Sequence, residues 1–491
     1  MALRPCGPAA LRPGGPAALR RGFPGSLADD DRLRHAGRVT ETRVDVVVLG
    51  LGVGGEEVAG KLATAGLAVV GIDDRLVGGE CPYWGCIPSK MMIRAANALA
   101  EARRVDLLAG RAQTWPDWAP VATRIREEAT DNWNDEAAVR RFTDKGGRFV
   151  RGRGVLDGPG RVRVGDDVYV AERGIVIGTG TSPSVPPIDG LAGTPYWTNR
   201  EIIECAELPA SLLVLGGGAI GLELAQVFAR FGVHVRIMER HERVLAIEEP
   251  EAGEVVADAL RAEGIEIDTN AGVERVSHDA DGFAVHLTGG RTVRGERLLA
   301  ATGRHAALGA LGLDSVGLDA QQRYLVPDGR MRVGEGIWAV GDVTGQGAFT
   351  HVAMYQAGIA VRDVLGQGGP DADYHALPRV TFTDPEVGAV GLTERQARDR
   401  GLTVKVSVSP LGESSRGWIH GPGNAGFIKL VADADRNVLV GATSTGPSGG
   451  EVLGWLSVAV HAEVPIGTLR HMIFAYPTFH RAIEDALHRL G

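Results

Sequence analysis

The sequence predicts an α/β protein in which two copies of a strand–turn–helix–strand unit precede a smaller α+β unit. The first copy covers residues 44–73 and the second covers residues 212–239. In both copies, a run of buried-strand type leads into a glycine-rich turn, a helical stretch follows, and a second strand ends in an acid. Beyond Pro378 strands are followed by helices, which is typical of an α+β arrangement.

Hydrophobic periodicity places the individual elements of the three units. The predicted strands are 44–49, 68–72, 212–215, 233–238, 379–382 and 426–431, and the predicted helices are 56–65, 222–231, 451–462 and 481–489. A loop-like stretch at 366–373 favours a boundary near residue 375.

Both glycine-rich turns follow the spacing G-x-G-x-x-G. In this motif the first glycine makes a tight turn, the second lets the backbone approach a pyrophosphate, and the third lets the helix pack on the strand. The acid that ends the next strand can accept hydrogen bonds from a ribose diol. We therefore predict two Rossmann-like dinucleotide-binding units, which use Gly50, Gly52, Gly55 and Asp73 in the first copy and Gly216, Gly218, Gly221 and Glu239 in the second.

Two dinucleotide sites in one chain indicate an electron relay between two cofactors, FAD and a nicotinamide dinucleotide. Glu239 would repel a 2′-phosphate and accept a hydrogen bond from a free 2′-hydroxyl, so NADH is favoured. Arg240 and Arg243 follow closely and could clamp a phosphate, which leaves NADPH as an alternative.

Length and composition narrow the class of protein. The chain has 491 residues, which corresponds to about three domains. Its net charge of −9 and aromatic content of 5% argue against a nucleic-acid-binding protein. No apolar run reaches the roughly 18 residues of a membrane span. Four cysteines do not form a disulfide scaffold, no ligand cluster predicts a metal site, and we expect a cytoplasmic location.

Residues 1–42 differ from the rest of the chain. They are rich in Pro, Gly, Ala and Arg, and the hexamer Gly-Pro-Ala-Ala-Leu-Arg occurs at 7–12 and again at 15–20. Such a segment buries too little apolar surface to order itself, so we predict a disordered tail. A transit peptide is the weaker alternative, because Pro and Gly oppose the amphipathic helix that it requires.

Two cysteines lie close together just after the first unit. Residues 78–90 read G-G-E-C-P-Y-W-G-C-I-P-S-K, which places Cys81 and Cys86 where they can meet across the start of a helix. A helix N-terminus lowers the pKa of a thiol and favours dithiol exchange. The pair is therefore predicted to be redox-active, with a structural disulfide and a zinc site as weaker alternatives.

The motif G-G-x-C-x4-C-x-P-x-K after a dinucleotide unit resembles the flavin-dependent pyridine nucleotide–disulfide oxidoreductase family. This family includes dihydrolipoamide dehydrogenase, glutathione reductase and mercuric reductase. The resemblance extends from about residue 44 to 488. Further motifs that resemble those of the family stand in the same order at 177–181, 301–304, 339–342 and 349–353.

The resemblance implies roles for the matched residues. Cys81 would attack the substrate, Cys86 would be the charge-transfer thiolate against the flavin, and Lys90 would pair with Glu223 beside the flavin. Asp342 would bind the ribityl chain of FAD. The other cofactor-binding positions implied by these motifs are Gly154, Thr179, Gly180, Thr181, Gly303, Ala348, Phe349, Thr350 and His351.

The resemblance also implies the domain organisation. The FAD-binding domain would comprise 43–190 and 325–374, the NAD(P)-binding domain 191–324, and the C-terminal dimerisation domain 375–491. The chain would form a two-fold homodimer through the last of these.

The chain departs from the family near its C-terminus. There the disulfide reductases carry a His-Pro-x-x-x-Glu acid/base that acts on the partner's dithiol, and this chain has Tyr476 and Arg481 at the two positions. Tyrosine, with an ordinary pKa of about 10, is a poor proton acceptor for a thiol. His480 could substitute, with Glu484 on the same helical face, although a surface role for His480 is the simpler interpretation. The last residues contain no cysteine, so we expect neither mercuric reductase nor large thioredoxin reductase activity.

The leading prediction is a flavoprotein that passes electrons from NAD(P)H through FAD to a Cys81–Cys86 disulfide, which then reduces a small-molecule disulfide. The alternative is a diaphorase that reduces a quinone without using the cysteines. A flavoprotein with a purely structural or sensing role is the third possibility.

Overall fold

A computed structural model describes residues 41–491. The predicted disordered tail lies outside the described residues, except that residues 41 and 42 belong to the first strand and not to the tail. Within residues 41–491, no helix is both long enough and apolar enough to cross a bilayer.

The strands and helices follow one another in two groups, a return segment and a C-terminal unit. The first group is β1 (Glu41–Leu49), α1 (Val53–Thr64), β2 (Val69–Asp73), α2 (Glu80–Tyr83), α3 (Cys86–Arg104), α4 (Ala119–Arg124), α5 (Glu136–Thr143), β3 (Arg148–Arg151), β4 (Val155–Leu156), β5 (Arg161–Val164) and β6 (Asp167–Ile177). The second group is β7 (Ser182–Pro183), α6 (Asn199–Ile203), β8 (Ser211–Leu215), α7 (Ala219–Arg230), β9 (His234–Met238), α8 (Pro250–Ala262), β10 (Glu266–Asp268), β11 (Val273–Asp279), β12 (Gly282–Leu287), β13 (Thr292–Gly295), β14 (Arg297–Ala300) and β15 (Arg304–His305).

The chain then returns to the first sheet before it enters the C-terminal unit. The return segment contains β16 (Arg332–Gly334), β17 (Ile337–Ala339) and α9 (Thr350–Val364). The C-terminal unit contains β18 (Pro378–Thr381), β19 (Glu386–Gly391), α10 (Glu394–Asp399), β20 (Val404–Pro410), α11 (Ser415–His420), β21 (Phe427–Asp433), β22 (Val438–Gly446), α12 (Gly449–His461), α13 (Ile466–Arg470) and α14 (Arg481–Arg489).

Each of the three units of the described chain has one main sheet. The first has the strand order β16-β17-β6-β1-β2-β3, and its central strand β1 pairs in parallel with β2 and β6. The second is the parallel sheet β10-β9-β8-β14, beside the antiparallel sheet β11-β12-β13. The third is the antiparallel sheet β18-β19-β22-β21-β20, against which α12 and α14 pack. The predicted fold class is confirmed, while the residue limits of the domains remain predictions.

The helices after both glycine turns begin earlier than predicted. Helix α1 begins at Val53 rather than Glu56, and α7 begins at Ala219 rather than Leu222. The reason is that Gly52 and Gly218, both with extended backbones, are the residues that directly precede these helices. The third glycine of each motif therefore lies inside the first helical turn.

Candidate active site

The glycine turns at the ends of β1 and β8 admit no side chain at their first and third positions. Gly50 has φ +85°, and a Cβ there would lie 2.6 Å from the carbonyl oxygen of Gly178. A Cβ on Gly55 would lie 1.9 Å from the oxygen of Gly50, and one on Gly221 would lie 2.3 Å from that of Gly216. Both turns therefore bring the start of a helix against the end of a strand, which is the cradle that a pyrophosphate requires.

The two predicted ribose-binding acids stand in equivalent positions. The carboxylate of Asp73 accepts a hydrogen bond of 2.6 Å from the backbone N–H of Leu51, and that of Glu239 accepts one of 2.6 Å from Gly217. Each donor is the residue after the first glycine of its motif. Burial raises the pKa of Asp73. Both acids therefore lie at the mouth of a cradle, where a ribose diol would be bound.

Asp342, the predicted ribityl ligand, is held by Thr181, which is itself held by Arg304. The hydroxyl of Thr181 donates to its carboxylate at 2.9 Å and accepts from Arg304 Nε at 2.8 Å. Burial raises the pKa of Asp342. Sequence reasoning quoted Arg304 within a motif but did not identify it as a site residue.

Most of the other predicted cofactor positions lie on loops, and Thr350 and His351 lie in the first turn of α9. Gly154 packs on Leu49 of β1, where a Cβ would come 2.4 Å from the leucine side chain. Thr179 and Gly180 follow β6, while Gly303 directly precedes β15 and has φ +112°. Ala348 and Phe349 precede α9, and His351 stacks on the Phe349 ring and donates through Nε2 to the carbonyl of Pro378. Their cofactor-binding roles remain predictions.

The two thiols meet at the N-terminus of α3. Cys86 is the first residue of this 19-residue helix, and Cys81 lies in α2 immediately before it. A hydrogen bond between the thiols is the largest influence on both groups: it lowers the pKa of Cys86 to about 6 and raises that of Cys81. The hydroxyl of Thr350, at 3.4 Å, and the charge of Lys90 stabilise the same thiolate. Cys86 is therefore the thiolate and Cys81 the neutral thiol at pH 7.

The expected ion pair between Lys90 and Glu223 is present. Lys90 Nζ lies 2.8 Å from the carboxylate of Glu223, whose side chain is only 7% exposed. The second carboxylate oxygen accepts from the backbone N–H of Phe382, and the ammonium group lies 4.6 Å from the centre of the Phe382 ring. All three structural units thus meet at this lysine, which is four residues beyond Cys86.

The C-terminal segment exposes the residues that stand in place of the family's acid/base. His480 directly precedes α14 and is exposed, and Tyr476 is 69% exposed. Glu484 lies beside Arg481, a permanent cation on the same helical face, and the role of His480 as a substitute base stays a prediction. Within residues 41–491, neither Tyr476 nor His480 forms a hydrogen bond to the thiols of its own subunit.

The two aromatic residues between the cysteines each contact another part of the fold. Tyr83 is 6% exposed and lies near Gly78 in the first unit. Trp84 lies under the guanidinium of Arg200, and its indole N–H donates to Glu204 at 2.6 Å. Sequence reasoning missed Arg200 and Glu204, because they lie more than a hundred residues away without a recognisable motif.

Comparison with known proteins identifies the family. Residues 44–357 match the pyridine nucleotide-disulphide oxidoreductase model, and residues 377–487 match the dimerisation domain of the same family. The chain is 32% identical to a mercuric reductase of Bacillus cereus, covering 90% of this chain and 71% of that protein. It is 31% identical to a dihydrolipoyl dehydrogenase of Chlorobaculum tepidum, covering 90% and 96%.

Solved structures agree with this assignment. The HOCl-induced flavoprotein disulfide reductase RclA from Escherichia coli superposes with a TM-score of 0.80 at 29% identity, covering 90% of this chain and 99% of that one. LpdA from Mycobacterium tuberculosis also gives 0.80, at 26% identity and with 92% and 100% covered. The chain therefore belongs to the pyridine nucleotide-disulphide oxidoreductase family, whose members are oxidoreductases that use FAD and NAD(P)H and act on sulfur groups.

Proposed function

We propose that this protein oxidises NADH and uses the Cys81–Cys86 couple to reduce a small-molecule disulfide. The observation that carries the proposal is the position of the two cysteines at the N-terminus of α3, where Cys86 lies 3.4 Å from the Thr350 hydroxyl and the pKa of its thiol is lowered. A dithiol with unequal pKa values at a helix N-terminus is poised for exchange with an external disulfide.

The residues present fit the two cofactors. The cradle of Gly50 and Gly55, with Asp73 and Asp342, would hold FAD, and the cradle of Gly216 and its acid Glu239 would hold NADH. When bound, FAD supplies the two-electron chemistry that connects NADH to the disulfide.

The thiols themselves carry out the exchange. Cys81 attacks one sulfur of the substrate and forms a mixed disulfide, while the other substrate sulfur leaves as a thiolate and takes a proton from solvent. The Cys86 thiolate follows Cys81 at the start of α3 and has the lowered pKa of the pair, so it can take the Cys81 proton during the attack. Cys86 then attacks Cys81, its proton leaves with the second substrate thiol, and the Cys81–Cys86 disulfide is formed. Two electrons have moved from the dithiol to the substrate, and NADH oxidation restores them.

We infer that the protein acts as a homodimer, in which the segment that contains Tyr476 and His480 approaches the thiols of the other subunit. The dimerisation domain at 377–487 supports this assembly. A cytoplasmic location, where thiols stay reduced, belongs to the same proposal.

An anaerobic titration with NADH tests the proposed route. We expect a long-wavelength absorbance band from the Cys86 thiolate beside oxidised flavin, after two electrons per subunit have been added. Because the thiolate is the absorbing form, the band should be present above pH 6 and disappear below it, with a midpoint near the Cys86 pKa of about 6. Bleaching of the flavin without such a band would contradict the proposal.

We also expect the enzyme to prefer NADH to NADPH. Glu239 occupies the ribose position, and the Arg243 guanidinium is already used on the carbonyl oxygens of Leu245, Ala246 and Glu248. Only Arg240 therefore remains for a 2′-phosphate among the two arginines considered from the sequence. Measuring kcat/KM for both dinucleotides should show at least a roughly tenfold preference for NADH, which corresponds to about 1.4 kcal/mol; a preference for NADPH would overturn this assignment.

A further inference from the structure

The residue that precedes Cys81 is bound by three side chains from elsewhere in the fold. The Glu80 carboxylate accepts hydrogen bonds from Asn199 Nδ2 at 2.9 Å and from Arg200, whose Nε lies at 3.1 Å. Arg304 Nη2 lies 3.6 Å from the same carboxylate. Two arginines and one amide thus hold a side chain that is adjacent in sequence to the attacking thiol.

The short helix α6, which contributes Asn199 and Arg200, also binds Trp84, three residues after Cys81. We call residues 80–86 the dithiol loop, and Asn199, Arg200 and Glu204 the α6 clamp. Asn199 Nδ2 also donates to the carbonyl of Trp84 at 2.8 Å. The indole N–H of Trp84 donates to Glu204 at 2.6 Å, and its ring centre lies 4.7 Å from the Arg200 guanidinium. The α6 clamp therefore holds the dithiol loop at Glu80, before Cys81, and at Trp84, before Cys86.

The α6 clamp is anchored to the sheet of the second unit. Trp197, two residues before α6, pairs its backbone with β14: its N–H donates to Leu298 at 2.7 Å, and its carbonyl accepts from Ala300 at 2.8 Å. Thr198 and Glu201 form a capping box that fixes the start of the helix. The dithiol loop is consequently attached to the nucleotide-binding sheet as well as to its own unit.

Through Arg304, Glu80 also contacts the two places where the chain crosses between the first and second units. Arg304 lies in β15, which pairs with β7 of the outgoing crossover, and it donates to both the hydroxyl and the carbonyl of Thr181. Thr181 in turn bonds Asp342. Glu80 thus connects the dithiol loop with both crossovers and with the predicted ribityl ligand.

We propose that Glu80, held by Asn199 and Arg200, is a positioning residue that keeps Cys81 beside Cys86 at the start of α3. The inference goes beyond the proposed function by assigning the geometry of the thiol pair to this contact between units. Charged and polar groups on three elements face Cys86: Cys81 of α2, Lys90 of α3 and Thr350 of α9. Of these, the Cys81 thiol is the one whose distance depends on the dithiol loop.

Replacing clamp residues should therefore change the acidity of Cys86. Asn199→Ala removes two hydrogen bonds without changing a charge. Arg200→Met removes the guanidinium that binds the Glu80 carboxylate and neutralises its charge. Both changes weaken the contact between the thiols, so we expect the Cys86 pKa to rise by about one unit from its value of about 6. Arg200→Lys, which keeps the charge but loses the fork, should give a smaller rise.

The pKa can be measured from the pH dependence of iodoacetamide alkylation in the reduced protein, followed on the Cys86 peptide by mass spectrometry. The peptide also separates Cys86 from the buried Cys205, whose pKa burial raises to about 11. Arg332→Met is the matched control, because Arg332 binds Asp363 through two nitrogens and Asp363 also accepts from a tryptophan, Trp338, away from the dithiol loop. It should leave the alkylation midpoint unchanged.

Each outcome decides the proposal. If only Arg200→Met moved the midpoint, the effect would be electrostatic and the positioning role would be rejected, as it would be if neither variant moved it. Alkylation requires neither cofactor nor acceptor. A normal shift together with a failed NADH titration would therefore contradict the proposed function and leave the clamp intact. A thermal melt of each variant shows whether it is folded. If Arg200→Met is unfolded, the alkylation midpoint of Arg200→Lys is compared with that of the parent protein instead.

Discussion

Cys81→Ser should abolish NADH-dependent disulfide reduction, with a loss of about a thousandfold or more. Serine cannot form the thiolate that attacks a disulfide, and its oxygen cannot form the second half of a redox couple. The cradle glycines and Asp342 are untouched by this change, so flavin binding and its reduction by NADH should persist. Steady-state assays with a disulfide and with a quinone, run on the same preparation, measure both activities.

The matched control is the third cysteine of the described chain. Cys205 is 8% exposed, and its thiol donates to the carbonyl of Glu207. Cys205→Ser should therefore retain disulfide turnover. If Cys81→Ser also retained it, the thiol pair would not be the reductant. The quinone diaphorase considered from the sequence would then be the better description.

The parts of the site that sequence reasoning predicted are those in which local chemistry determines the geometry. A motif indicates a glycine such as Gly50, which must adopt φ +85° beside a neighbouring backbone. A motif likewise indicates a cysteine such as Cys86, which is the first residue of a helix. The pairing of Lys90 with Glu223, 133 residues apart, was implied only by resemblance to a family. Periodicity and spacing contain no information about such a distant contact.

The α6 clamp shows the opposite case. Glu80 stands one residue before Cys81, yet its sequence neighbours do not indicate which cations would neutralise it. Its partner Arg200 lies 120 residues further along the chain, in a five-residue helix whose capping box of Thr198 and Glu201 indicates only where the helix begins. Similarly, helical spacing places Glu484 on one face with both His480 and Arg481, and spacing alone does not indicate that Glu484 lies beside Arg481.

Gly55→Ala should yield a chain that no longer retains FAD. The new methyl group would lie 1.9 Å from the carbonyl oxygen of Gly50, and 3.0 Å from its carbonyl carbon. Relief requires α1 to move away from β1, which opens the turn that would hold the pyrophosphate. Overpacking of this kind costs about 1–3 kcal/mol, so we expect FAD binding to weaken about tenfold to a hundredfold. Flavin content after gel filtration, and the Kd for added FAD, measure the loss.

Gly358→Ala provides the comparison within the same unit. Gly358 lies inside α9, which packs on α1, but a Cβ at this position meets nothing within 4 Å. Alanine is also the better helix former, so this variant should bind FAD like the parent and be slightly more stable. Full flavin retention in Gly55→Ala would mean that the turn is not the pyrophosphate cradle. Equal losses in both variants would instead indicate that any added methyl group disrupts this unit, whereas loss in Gly55→Ala alone locates the FAD site at the end of β1.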